Sequence, residues 1–252
     1  MNCRIIMKKI MICGLAALAM LCSSCIHIDL GDYYRFNDVQ ISEPLTGLDI
    51  EWRDSRVDIC YWDKPYTRIY DNSDMSAPSY YRMDGGVLVV RDSDNGHGVY
   101  GKTLTVCLPE GTVLNYCDID VVSANVYADV DTKDLDIDSV SGNVWYSTWY
   151  APYDVDIDTT SGCVTIAFPD TFGFTCDFDS VSGGYSSEFR VVIRDGYICY
   201  GDMFSSIEVD TVSGNLDLVV NYSPGSYTRG SSPAQPTCLR RQPQTPDRTV
   251  KL

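Results

Sequence analysis

Histidine is almost missing from this chain of 252 residues, which holds only two, His27 and His97. Both fall in stretches without regular patterning, and they form no metal-binding pair. No nucleophile elbow or P-loop accompanies them, so the usual signatures of hydrolase and nucleotide chemistry are absent. Cysteine spacing gives no zinc pattern. Apolar runs are short: residues 10–21 make twelve, against the ~20 that a membrane-spanning helix needs. Bases are scarce too. Between residues 103 and 189 there are 15 acids and one base, Lys133, and the whole chain carries a formal charge of −16. Such a surface disfavours nucleic acid and anionic membrane as partners, and favours cations, basic proteins or neutral polymers.

What the chain does contain is one phrase repeated five times. In register the copies are Cys117-Asp-Ile-Asp-Val-Val-Ser-Ala-Asn-Val126, Leu135-Asp-Ile-Asp-Ser-Val-Ser-Gly-Asn-Val144, Val155-Asp-Ile-Asp-Thr-Thr-Ser-Gly-Cys-Val164, Cys176-Asp-Phe-Asp-Ser-Val-Ser-Gly-Gly-Tyr185 and Ile207-Glu-Val-Asp-Thr-Val-Ser-Gly-Asn-Leu216. Their shared serines, Ser123, Ser141, Ser161, Ser182 and Ser213, are spaced by 18, 20, 21 and 31 residues. A period near 20 marks a stacked-repeat architecture.

Each copy opens on strict alternation, apolar one way and aspartate the other, which is a strand with one buried face. Ser141-Gly142, Ser161-Gly162, Ser182-Gly183 and Ser213-Gly214 then form corners, glycine there tolerating positive φ; Ala124 fits that role poorly. A second strand follows. About 20 residues cannot bury their own apolar side, so each unit must stack on the next. The expected fold is all-β: a single-chain β-solenoid, or β-helix, of about 20-residue rungs with Ser-Gly corners. A single-sheet meander with a covering layer is the alternative. The long step requires an insertion at residues 190–206, with a strand over residues 189–193 and an Asp195-Gly196 turn. Residues 48–52 and 57–61 read as early rungs with a degraded turn, and residues 86–91 and 102–109 as further strands.

The expected domains are a lipoprotein signal at 1–24, an irregular anchor spacer at 25–47, the solenoid at 48–223, and a tail at 224–252. The first has basic Arg4, Lys8 and Lys9, then the apolar run, as export signals do. Leu21-Cys22-Ser23-Ser24-Cys25 resembles the lipobox of bacterial lipoproteins, which implies a lipid on Cys25 and attachment to the cell envelope, at the outer membrane. Cys22 departs from the usual leucine; ordinary secretion with cleavage near Ser24 is the alternative. Without the signal the balance is 16 bases to 35 acids. The tail holds five bases, one acid and five prolines, and is expected to stay disordered.

Alternating aspartates followed by Thr/Ser-Val-Ser-Gly-Asn-Val, repeated behind a lipoprotein signal, resemble the bacterial putative-adhesin domain family. Its members are β-helical domains without an assigned biochemical function, similar to the head domains of auto-transporter adhesins. The resemblance covers residues 48–220. It implies a fold and a non-enzymatic surface role, carries over no catalytic residue, and implies that further C-terminal rungs are missing here.

Three sets of residues invite chemistry. Asp118, Asp136, Asp156, Asp177 and Glu208 form one outward column, and Asp120, Asp138, Asp158, Asp179 and Asp210 the next. Ca²⁺ between the columns, on Asp136, Asp138, Asp156, Asp158, Asp177 and Asp179, is one reading. The other is a solvated acidic face that aids solubility, and no further cofactor is expected. Trp145, Tyr146, Trp149, Tyr150 and Tyr153 form an aromatic cluster suited to a glycan or a partner protein, unless half of them face the core. Paired carboxylates would also suit polysaccharide cleavage on a β-helix, but they recur in every rung, as a structural rule predicts and a single active site does not. A periplasmic cation-binding accessory domain is a third class. Cys117 and Cys176 share an inward column, three rungs apart on consecutive stacking, and read as core residues too distant to bond.

Overall fold

The computed structural model describes residues 33–72, 79–92, 101–202 and 204–221. The signal, Cys25, both histidines and the tail from residue 224 lie outside the described residues. Every described element is a strand. In chain order they are β1 (Tyr34–Phe36), β2 (Asp38–Ile41), β3 (Gly47–Trp62), β4 (Thr67–Asp71), β5 (Ser79–Asp84) and β6 (Val87–Arg91). Then follow β7 (Thr103–Pro109), β8 (Val113–Asp129), β9 (Asp131–Ser141), β10 (Val144–Ser147), β11 (Asp154–Ser161) and β12 (Val164–Phe168). Last come β13 (Phe174–Ser180), β14 (Tyr185–Ser187), β15 (Val192–Arg194), β16 (Tyr197–Tyr200), β17 (Ser205–Thr211) and β18 (Leu216–Val220).

The repeats superpose in two parallel ladders. One runs β6, the first half of β3, the first half of β8, β9, β11, β17, β13. The other runs β7, the second halves of β3 and β8, then β10, β12, β18 and β14. Register follows the sequence pattern. Leu48, Cys117, Leu135, Val155, Ile207 and Cys176 stand in one column. Val57, Val126, Val144, Val164 and Leu216 stand in the corresponding column of the second ladder. Both columns enter one apolar core, in which all but a few of these side chains are fully buried.

Rung order is not chain order. The fifth copy, β17 with β18, lies between the third copy (β11 and β12) and the fourth (β13 and β14). The expectation that each unit stacks on the next therefore fails at the last step, and also at the first, where β8 pairs directly with β3 while β6 and β7 lie on the other side of β3. The long connection gives the chain reach to pass the fourth copy and pair on its inner edge. Cys176 is consequently four rungs from Cys117 and not three, and both are buried free thiols. The strand expected at residues 189–193 is shorter and later, β15, while Phe189 is buried against Phe174 at 5.3 Å between ring centres.

The sheet is mixed, because three of the four ladder ends turn antiparallel and only the β14 end does not. Strand β5 pairs antiparallel with β6 and β1 with β5; β4 pairs with β7 and β2 with β4. At the far end β16 lies antiparallel on β13, and β15 on β16. The β15–β16 turn is Asp195-Gly196, with φ of 52° and 96°, the two-residue hairpin geometry that needs positive φ at both positions. Strands β1 and β2 fall in the stretch expected to be an irregular spacer. Their alternation is only three or four residues long, too short to read without its partners.

Close approach is what demands glycine at the corners. A Cβ on Gly162 would lie 1.9 Å from the Gly142 carbonyl oxygen, one on Gly214 2.0 Å from that of Gly162, and one on Gly183 1.6 Å from that of Gly214. Each corner lies backbone to backbone on its neighbour. Gly142 and Gly162 also have positive φ, 139° and 150°. Ala124 begins the column and does not share that conformation; Ser55, its partner in β3, takes φ of 70° instead. We expect Gly162→Ala to cost at least ~1–3 kcal/mol by forcing the rungs apart. Gly184→Ala, with nothing within 4 Å, should stay within about 0.5 kcal/mol. Urea unfolding of the two variants checks the contrast.

Candidate functional site

The corner serines are structural. Ser123, Ser141, Ser182 and Ser213 each donate a hydroxyl hydrogen bond to a main-chain carbonyl of an adjacent rung, at 3.1–3.4 Å. The asparagine after the glycine, unremarked in the sequence reading, does the complementary work. Asn125 accepts from the Asn143 main-chain N–H, Asn143 from that of Cys163, and Asn215 from that of Gly184, at 2.9–3.0 Å. Side chains thus continue the ladder through corners where strand pairing lapses.

The outward columns of the first ladder are acidic throughout. In spatial order they read Asp49, Asp118, Asp136, Asp156, Glu208, Asp177 and Glu51, Asp120, Asp138, Asp158, Asp210, Asp179. Asp177 and Asp179 are thus separated from Asp156 and Asp158 by the Glu208 rung, so the six aspartates grouped for Ca²⁺ do not form one contiguous set. Crowding by flanking rungs withdraws water from these carboxylates, and their neighbours repel. Together the two effects push Asp118 and Asp156 up to about 6, and Asp120 and Asp158 up to about 7. Burial raises Asp136 and Asp138 in the same direction. At one end the columns hold a cation of the chain's own. Arg91 reaches Asp49 at 2.6 Å and Glu51 at 3.1 Å. Among the described residues no group of three or more His, Cys, Asp or Glu is arranged to hold a metal ion.

The aromatic cluster divides. Tyr146 is fully buried, packed edge-on against Phe168 at 6.2 Å, and cannot meet a ligand. It falls in the same inward column as Ile166 and Leu218, which period two requires of every second residue of β10. Trp145 lies on the outer side of β10, beside Tyr127 and Thr165. Trp149 and Tyr150 belong to a turn fastened by buried Asp131, whose carboxylate accepts their main-chain N–H groups at 2.7 and 3.2 Å. Tyr153 is the exposed member, at 50%, and packs on Phe204, itself 59% exposed, at 5.4 Å.

Beside that pair is an open pocket of about 390 Å³, bordered by Phe172, Tyr200, Phe204, Asp170 and Asp202. Two connections build it, one entering β13 and the other β17. They press together so tightly that a Cβ on Gly173 would meet the Asp202 carbonyl oxygen at 2.1 Å. The Tyr200 hydroxyl donates to the Asp170 carbonyl at 2.8 Å across the same wall. Phe204 and the pocket were not legible in the sequence, because consecutive stacking would have put β13, and not β17, beside Tyr153.

No protein-family model matches the chain, and no curated protein does. Solved structures do match it, two of them as follows. A putative cell adhesion protein from Clostridium sporogenes superposes with a TM-score of 0.58 at 13% identity, over 75% of this chain and 100% of that one. A putative adhesin from Bacteroides fragilis gives a TM-score of 0.34 at 10% identity, over 75% of this chain and 97% of the other. The first likeness establishes a shared all-β fold; the second is too loose to add to it.

The acidic columns carry a pH prediction. Their carboxylates hold protons more tightly folded than unfolded, so protonation favours the native state. The associated stability is fully present below the unfolded carboxylate range, near pH 4, and is lost as pH rises through about 6–7. Melting temperature should therefore rise from pH 8 to pH 5. Asp158→Asn should raise it at pH 8 and flatten the profile.

Proposed function

We propose that this chain is a non-enzymatic module of the bacterial cell envelope that binds a glycan or a partner protein through its aromatic corner. On this reading the two ladders coil as a β-solenoid, and a lipid on Cys25 holds the protein at the outer membrane. The observation that carries the binding role is the exposed Tyr153–Phe204 pair beside the open pocket. Large exposed aromatics flanked by carboxylates suit a polar ring, which stacks its apolar face and donates its hydroxyls. The fold shared with the putative cell adhesion protein supports the same reading. Against catalysis stands the repetition: the carboxylate pair recurs on rung after rung, and the corner serines are occupied with main-chain carbonyls.

A glycan array followed by titration calorimetry tests the role. Tyr153→Ala and Phe204→Ala should each weaken the best ligand by roughly tenfold or more, a loss of over ~1 kcal/mol, with melting temperature nearly unchanged. Unaltered binding in both variants would remove the corner from consideration. Protease accessibility on intact cells tests the surface placement separately.

A second reading is Ca²⁺ shared between neighbouring rungs at Asp136, Asp138, Asp156 and Asp158, which register pairing sets side by side, where a cation would relieve their mutual repulsion. Millimolar Ca²⁺ should then raise the melting temperature and give calorimetric heat. Neither effect appearing would end it.

A further inference from the structure

Two cysteines outside both surfaces face each other across the second ladder. Cys60 of β3 and Cys107 of β7 are direct register partners on adjacent parallel strands. Their sulfurs are 3.7 Å apart, both thiols are free, and both are partly exposed. The other free cysteines, Cys117, Cys176 and Cys199, are buried. Adjacent strands lie about 4.8 Å apart, within the Cα range of about 4.4–6.8 Å that a disulfide bridges. Closure therefore needs a side-chain adjustment and not a backbone rearrangement.

The surroundings distinguish the two sulfurs. Arg68 of β4 is the register partner of Cys107 on its other side, held by Asp38 of β2 at 2.7 Å. Asp58 of β3 and Asp129 of β8 stand near Cys60. The Cys60 thiol donates to Cys107, and with the Arg68 guanidinium it holds Cys107 below its ordinary range; Cys60 is pushed up by that same hydrogen bond, by burial and by the nearby carboxylates. A lowered thiol is the one that attacks.

We propose that Cys60 and Cys107 form a thiol–disulfide exchange site that takes low-molecular-weight or protein disulfides as its substrate. The Cys107 thiolate attacks one sulfur of the incoming disulfide, whose S–S bond breaks and releases one thiol. Cys60 then loses its proton and attacks the Cys107 sulfur, forming the Cys60–Cys107 bond and releasing the second thiol. Two electrons pass from the protein sulfurs to the external disulfide, and the two protein protons end on the released thiols. The site does not depend on the aromatic corner or on ligand binding there.

The test incubates the native full chain with oxidised glutathione, blocks remaining thiols with a maleimide, and maps the digest by mass spectrometry. The expected product is one peptide pair joined through Cys60 and Cys107, lighter by two hydrogens than its reduced parts and released by dithiothreitol. In Cys60→Ser the link is lost and Cys107 retains one glutathione. In Cys107→Ser the link is lost and glutathione reaches Cys60 more slowly. Full maleimide labelling of both cysteines in the wild-type chain after exposure overturns the proposal. So does a link that forms only once the protein is denatured. The wild-type result decides the matter even if either variant fails to fold.

Discussion

Backbone lying directly on backbone at the Ser-Gly corners is the constraint from which the rest follows. Once each corner rests on the carbonyl of the next, successive rungs are locked at strand spacing and in register. In-register parallel pairing then puts like on like. Aliphatic residues gain from this, since burying a Val, Leu or Ile side chain is worth about 1.5–3 kcal/mol. Carboxylates lose, but repulsion between exposed unit charges at that spacing is about 1 kcal/mol before salt screening. The apolar columns outweigh the acidic ones, and the acidic ones respond by holding protons more tightly. The shifted aspartates are thus a consequence of the repeat and require no special site to explain them.

A ladder of parallel strands also has to end. An exposed edge would present a row of unpaired main-chain groups to any passing strand. Here three of the four ends change sense: β5 with β1, β4 with β2, and β16 with β15 lie antiparallel on the last parallel strand, while the fourth end is β14, itself only three residues long. These strands are short, and β15 has only three residues. The closing elements need not repeat the corner phrase, because nothing stacks beyond them.

That difference decides what could be read from the sequence. Alternation at Leu135-Asp-Ile-Asp and its relatives revealed the strands, the buried face and the column membership, since side-chain direction in a strand is set by period two alone. The early rungs at residues 48–52 and 57–61 were legible for the same reason, but not that β3 pairs directly with β8. Rung order was not. Strands β11, β13 and β17 carry equivalent phrases, so any of them satisfies the edge of another, and only the 31-residue step hinted at a departure. Asn125, Asn143 and Asn215 escaped notice because a side chain accepting a main-chain N–H leaves no periodic apolar trace. Strands β1 and β2 escaped because three or four residues carry too little alternation. Tyr146 was misread for the opposite reason: proximity to other aromatics in sequence masked its parity with Val144, which points inward.

Periodicity and recognition pull against each other in such a molecule. A surface that says the same thing on every rung offers many equal, weak positions and no distinct one. A selective site needs a place where the pattern breaks. The structure breaks it where the fifth copy slips between the third and fourth. There the connections into β17 and β13 are not copies of one another, and they carry Phe204, Phe172 and the pressed glycine Gly173. The same slip brings Phe204 against Tyr153. The exchange of rung order thus builds an open aromatic corner, and the regular rungs beneath it supply the platform on which that corner is held.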